Sequence, residues 1–390
     1  MRVAFGTIAA KRELPYARVL ARSFAERHPK TPFFVLLADE IEGCFDGAGE
    51  PFRLLTFRDL EIPESEGFRF IHPRKQLTYA ATPYFLSALV DDGFERAVFL
   101  KQESLVLGDL RPILELLNQS EIILTPHLLA PLEGDDGAAR ELNILQSGVC
   151  NVGLLGLRDS PESRRFLAWW ADRVHDHCRH AIGEGLHYEQ RWLDLVPAYF
   201  ENARILRDPG ANIGHWNLPE RLRATPRLFR FSGFDPDRPA QVTQYSDRLS
   251  MEALGDAAEL FADYAEALKQ AGWDEAQAWP YAYDSFDDGV PIPQLARELY
   301  RELGELRAGL GDPFSTAKEE GFFRWLNEPV VPNRQVTRLW QAVYDRRPDV
   351  REAFPSPFSE DHDAFLHWTA AAGAAEHEIP SAFVAAARPG

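Results

Sequence analysis

The first 37 residues spell a strand, a helix and a second strand, and that order leaves the chain few alternatives. Val3 to Ile8 is a strand-length apolar run. Ala10 to Arg27 carries apolar residues at helical spacing (Leu14, Ala17, Val19, Leu20, Phe24). Pro29 and Pro32 then punctuate the chain before Phe33 to Leu37, again apolar and of strand length. This predicts a βαβ unit, hence parallel strands and an α/β class. Ligands of such sheets collect beyond the carboxyl ends of the strands. The turn after the first strand, to which we assign Thr7, Ala9 and Lys11, therefore faces the ligand crevice or is a solvated loop.

The stretch Phe94 to Leu110 carries the same logic further. Ala97 to Leu100 reads as a buried strand that stops at Lys101-Gln102-Glu103; Leu105 to Leu107 follows and closes with Gly108-Asp109. Polar groups at the end of a core strand are candidate ligand contacts. Leu54 to Phe57, Glu121 to Thr125, Ala203 to Leu206 and Leu228 to Gly233 are further strands, the last of these closing the core. Gln76 to Asp92 is helical, with a start or kink at Pro83. Glu61 to Lys75 is polar and without period, so it reads as a loop. Glu133 to Asp136 opens an acidic loop. After about Arg238 helical segments alternate with loops rich in Pro, Gly and Asp. The expected organisation is a sheet domain over 1–238 and a mostly helical appendage over 239–390.

Composition narrows the partners. The chain has 390 residues and a net charge of −18, against the basic face that nucleic acid or an anionic membrane requires. No run approaches the roughly 20 apolar residues of a membrane span. Cys44, Cys150 and Cys178 show no paired spacing, so reduced thiols and a cytoplasmic setting are expected, and the amino terminus reads as a core strand rather than a leader. His175, His177, Cys178 and His180 invite a zinc reading, but only His175 and Cys178 share a helical face. Asp284 to Gly289 fails as a calcium loop, because Phe286 and Leu295 stand where oxygen ligands are needed.

Four segments in order carry a family resemblance: Leu105-Val106-Leu107-Gly108-Asp109-Leu110; Ser147-Gly148-Val149-Cys150-Asn151-Val152-Gly153; Trp192-Leu193-Asp194-Leu195-Val196-Pro197; and His215-Trp216-Asn217-Leu218. Together they resemble nucleotide-sugar glycosyltransferases of the GT-A fold, in particular the glycogenin-like retaining enzymes. The resemblance implies a Rossmann-like mixed sheet flanked by helices, a nucleotide-sugar donor, and an acceptor that is a glycan, protein or small molecule. It gives the turn holding Thr7, Ala9 and Lys11 the nucleoside, Glu189 and Gln190 the donor sugar or the reacting carbon, and Gly148 and Asn151 the sugar and acceptor side. Asn212 and His215 fall in the loop beneath the donor sugar. Each has a plainer structural reading: a strand-entry turn with a packed amide for Gly148 and Asn151, a carboxylate favoured in a helix first turn for Glu189.

The departures from that family are concentrated at its metal site. The metal-binding Asp-x-Asp is here Lys101-Gln102-Glu103, and Arg230 stands where a third, histidine ligand is found. Thr82 replaces a lysine that reaches the nucleotide. A lysine in the first shell repels Mg²⁺ or Mn²⁺, so the divalent site is expected to be lost and no cofactor is expected. Lys101 and Arg230 then supply positive charge to a leaving diphosphate; alternatively, a salt bridge with Glu103 fills the vacated place. Three functions remain open: a metal-independent glycosyltransferase, a catalytically silent relative that binds a sugar nucleotide, glycan or protein, and a transferase for another activated donor.

Overall fold

The computed structural model describes residues 2–221 and 223–384. The strands of three residues or more, in chain order, are β1 (Val3–Ala9), β2 (Phe33–Leu37), β3 (Arg53–Leu55), β4 (Arg96–Leu100), β5 (Ser104–Val106), β6 (Ile122–Pro126), β7 (Cys150–Arg158), β8 (Ala203–Ile205) and β9 (Leu228–Arg230). Seven of them form one mixed sheet, ordered β8-β6-β7-β4-β1-β2-β3 and flanked by helices. All its pairings are parallel except those of β7, which runs antiparallel to both β4 and β6. The order steps away from β1 to β2 and β3 on one side and restarts at β4 on the other, so β1 and β4 flank a topological switch point.

Helix α1 (Leu14–Arg27) covers the first crossover, burying Leu20 and Phe24 against Phe5, Phe33 and Val98 of the sheet. Gln76 to Asp92 is two helices, α2 (Arg74–Ala80) and α3 (Thr82–Asp91), with Pro83 in the first turn of the second, where its missing N–H costs nothing.

Leu228 to Gly233 is not the closing strand of the core. β9 pairs antiparallel with β5 in a separate two-stranded sheet, and only Leu228–Arg230 is extended. The segment read as an acidic loop and strand-entry turn contains helix α4 (Gly137–Ser147), which ends at Gly148 with φ +108°, a conformation that favours glycine. Helix α5 (Pro161–His177) is capped by Ser160, whose hydroxyl accepts from the Ser163 N–H.

By internal contacts the chain forms two compact units. One comprises the residues up to Ile62 with Arg74–Tyr281, the other Pro63–Pro73 with the residues from Ala282 onward. The division therefore falls well after the change of composition at Arg238. The reason is packing: helix α6 (Ala257–Gln270) buries Phe261, Tyr264 and Leu268 with Phe229, Phe231 and Phe234, and the Phe231 and Tyr264 rings stack at 3.7 Å. In the second unit Ser65–Ile71 is a helix, contrary to the loop expected over Glu61 to Lys75. Its Phe70 and Ile71 pack with Tyr300, Phe322 and Leu339, and tertiary burial supplies what the local sequence lacks. Among the described residues no helix is long and apolar enough to cross a membrane.

Candidate functional site

The site is assembled where β4 ends. Lys101 follows directly, its N–H held by the Gly153 carbonyl at 2.9 Å. β7 runs the opposite way, so its beginning, not its end, lies beside Lys101, and this is how Asn151 arrives there. β5 and β9 bring the third partner: Arg230 pairs in register with Ser104, and the Phe231 N–H bonds the Glu103 carbonyl at 2.8 Å. Three stretches far apart in sequence thus converge on a cavity of about 660 Å³, lined among others by Lys75, Tyr79, Lys101, His127, Asn151, Glu189, Gln190, His215, Trp216 and Arg230.

Arg230 is engaged through two of its nitrogens and its guanidinium face. Its Nε donates to the Glu103 carboxylate at 2.8 Å, its Nη1 donates to Asn151 Oδ1 at 2.8 Å, and its guanidinium lies over the Trp216 ring at 5.4 Å. Burial raises the Glu103 carboxyl, but Arg230 and Lys101 outweigh it and hold the group below the ordinary carboxylate range. Because a guanidinium can only donate, Asn151 must turn its oxygen toward Arg230. Asn212 Nδ2 donates to the same oxygen at 2.9 Å. The Asn151 amide N–H groups then point the other way, to Gln190 Oε1 at 3.2 Å and His127 Nε2 at 3.0 Å. His127 Nε2 is therefore an acceptor and the imidazole is neutral. Burial, with Arg230 second, pushes its pKa down to about 3. One arginine thereby fixes the polarity of three further side chains.

Lys101 is the opposite case. It is 2% exposed, and its ammonium has no hydrogen-bond partner among the described residues. Nζ instead sits 3.4 Å from the centre of the Tyr79 ring. Burial lowers its pKa to about 8, opposed by Glu189 and Glu103. Glu189 is 4% exposed, and burial pushes its carboxyl above the ordinary range against the pull of Lys101 and Arg230. Its backbone carbonyl accepts from Trp170 Nε1 at 3.0 Å, which ties this loop to α5. The Gln190 amide donates to the Ser147 carbonyl at 2.6 Å.

A second, smaller cavity of about 280 Å³ adjoins the first. Lys75, Tyr79 and Tyr245 line both. Its other walls include Arg12, Glu13, Tyr16, Gln102, Glu103, Phe231 and Trp273. The first turn of the chain reaches the ligand crevice here, but through different residues than the sequence suggests. β1 continues to Ala9, which pairs with Leu37, so Thr7 and Ala9 are interior strand positions, both 0% exposed. Lys11 is buried as well; its ammonium is 3.6 Å from Asp39, donates to the Glu40 carbonyl at 3.2 Å and is also paired with Glu42. Neither cavity is lined by these three.

The other expected residues fall close to the first cavity. His215 lines it, with its pKa lowered to about 4 by burial and then by Arg230 and Arg248. Asn212 and Gly148 stand behind the lining, at φ +54° and +108°. Gly153 has a reason of its own: a Cβ there would lie 2.6 Å from Asn151 Oδ1 and collide with Asn212. His127, Tyr79 and Lys75 were not legible as site residues. His127 follows a predicted strand and Tyr79 sits in an apolar helical period. The available signal was Lys75 and Tyr79 at i and i+4, which share one helical face.

No protein-family model matches the chain. The uncharacterized protein YfnF of Bacillus subtilis (strain 168) is 26% identical over 236 residues, which is 56% of this chain and 73% of that protein. Among solved structures, the galactosyltransferase LgtC in complex with donor and acceptor sugar analogues aligns with 68% of this chain and 96% of its own, at 16% identity and a TM-score of 0.39. The glycosyltransferase GlyE of Streptococcus pneumoniae TIGR4 aligns with 73% of this chain and 67% of its own, at 13% identity and a TM-score of 0.42. Mouse xyloside xylosyltransferase 1 aligns with 59% and 96%, at 12% and 0.33.

Proposed function

We propose that this protein binds a nucleotide sugar across the two cavities and transfers the sugar to an acceptor without a divalent metal. The observation that carries the reading is the pair of cations at the carboxyl end of β4. In a chain of net charge −18, Lys101 and Arg230 line one cavity, and the Lys101 ammonium has no hydrogen-bond partner among the described residues. A buried cation without such a partner is costly unless an anion can use it. When the bond from the anomeric carbon to the diphosphate oxygen breaks, its electron pair leaves on the diphosphate, and fixed cations there stabilise the developing charge. Glu189 and Gln190 face the same cavity, where sugar hydroxyls would be held.

The donor atoms themselves argue against a divalent ion at this place. Glu103 is occupied by Arg230, and the Asn151 oxygen accepts from both Arg230 and Asn212. Two of the three side chains that replace the family's ligands are cations, and hard dications prefer a shell of oxygens. Free Cys44, Cys150 and Cys178 fit a reducing, cytoplasmic setting. A second reading, a binding module without turnover, is favoured by Thr82, which is 0% exposed in α3 and stands where the resembled enzymes place a nucleotide-contacting lysine.

The test is thermal stability against a panel of nucleotide sugars in the presence of EDTA, followed by product analysis for each binder. Stabilisation with turnover under chelation is the expected result. Stabilisation without turnover selects the binding module. No shift with any nucleotide sugar leaves a different activated donor or a pure interaction role, and rejects the proposal.

A further inference from the structure

We infer that Tyr79 sets the anion affinity of this site, because its ring face competes with an anion for the Lys101 ammonium. The inference rests on the reading of the Lys101 cavity as an anion site. An ammonium carries three donors and normally spends them on oxygen acceptors. Here Nζ makes no hydrogen bond to any described residue and lies 3.4 Å from the Tyr79 ring centre, within the range of a cation–π contact. That contact is the ammonium's closest recorded aromatic partner; the Phe99 ring is next, at 5.8 Å.

Tyr79 is held as a platform rather than left loose. Its ring meets Tyr188 edge-on at 5.0 Å, and Lys75, one turn earlier on the same face of α2, lies 5.3 Å from the Tyr188 ring and 5.4 Å from Tyr245. Tyr79 also lines both cavities, so a ligand spanning them passes its ring. An oxyanion between Lys101 and Arg230 offers charge-assisted hydrogen bonds, which a ring face cannot match. Its arrival transfers Nζ from the ring to the anion. The ring face is therefore a built-in competitor, and its removal tightens anion binding.

Inorganic pyrophosphate is the probe, titrated by calorimetry into wild type, Tyr79→Leu, Tyr79→Phe and Lys101→Met. Tyr79→Leu is expected to bind about tenfold more tightly than wild type, a difference of about 1.4 kcal/mol. Tyr79→Phe, which keeps the ring face, is expected to stay within about twofold of wild type, and Lys101→Met to lose binding. Wild-type protein supplies a test independent of the folding of any variant. Its Lys101 ε-methylene protons, shielded by the ring, are expected to move downfield on saturation with pyrophosphate. Pyrophosphate binding that depends on Lys101 but is equal in Tyr79→Leu and wild type overturns the role of Tyr79 and leaves the anion site intact. Resonances that stay ring-shifted in the saturated complex do the same. Absence of pyrophosphate binding in every form overturns both the inference and the anion reading beneath it.

Discussion

The two cations of the site are built in contrasting ways. Arg230, delivered by β9, has a carboxylate, an amide oxygen and an indole face as partners. Lys101, delivered by β4, has a ring face and, among the described residues, no hydrogen bond. Arg230 is tied into the fold; Lys101 is a cost to it. The contrast separates two uses of buried charge. A charge that is paired organises its neighbours, as Arg230 does for Asn151, Gln190 and His127. A charge without a hydrogen-bonding partner keeps its donors available. The local rule is that a buried pair hurts most when one member is removed, whereas a buried charge whose desolvation outweighs its attraction to nearby carboxylates, as for Lys101 beside Glu189 and Glu103, hurts while it is present.

The most severe challenge to that contrast is Arg230→Met. It strands the Glu103 carboxylate and releases Asn151, and is expected to cost about 3–5 kcal/mol in a denaturant titration. A loss of under about 1 kcal/mol, the range of an exposed pair, would erase the distinction from the Arg230 side.

Acid should expose the same network. The folded pKa of His127, about 3, lies below the ordinary 6.5, so the unfolded chain binds a proton before the folded one does. Its contribution is intact above about pH 6.5 and is lost as the pH falls toward 3, with stability dropping by about 2–3 kcal/mol between pH 6.5 and 4. His187 and His215, both lowered to about 4, act in the same direction. His127→Asn is expected to flatten this limb of the stability–pH profile; an unchanged slope would mean that His127 is not held neutral.

Lys101→Met tests the other side, and the expected sign is reversed: the variant gains about 1–3 kcal/mol at pH 7. The folded pKa of about 8 lies below the ordinary 10.5, so the penalty is fully present below pH 8 and is relieved as the pH rises toward 10.5. Wild type should therefore close the gap on the variant over that interval. A variant less stable than wild type at pH 7 would mean that Lys101 is paired after all.

The smallest effect concerns the indole beside Arg230. Trp216→Leu keeps the apolar volume in part and removes the ring face, with an expected loss of about 0.5–1 kcal/mol in thermal or chemical unfolding. No change would leave Glu103 and Asn151 as the only partners that matter to Arg230.

Much of this was legible in the sequence, and for identifiable reasons. Ala97 to Leu100 reads as a strand because it is apolar and ends at charge, and the residues after it do reach a cavity. That Lys101 and Arg230 line one cavity followed from the resemblance; it was not visible in their spacing of more than a hundred positions. Thr7 and Ala9 were placed in a turn because apolar character does not say where a strand stops; pairing of Ala9 with Leu37 decides that. Ser65–Ile71 reads as a loop because its helical face is short and is completed only by tertiary contacts. Tyr79 was hidden for the converse reason. An aromatic residue at helical spacing looks like core, and nothing local announces that its partner is an ammonium.

The reversed direction of β7 has a further consequence. Its neighbours carry the chain to the site, whereas β7 enters the sheet from it, so the segment before β7, not the one after, forms the rim. Leu132, Arg140, Asn143 and Ile144 belong to that rim and are separate from the Lys101–Arg230 floor. Exchange of residues 128–149 is thus expected to change what the rim contacts while the floor is retained, a division of labour written into strand polarity.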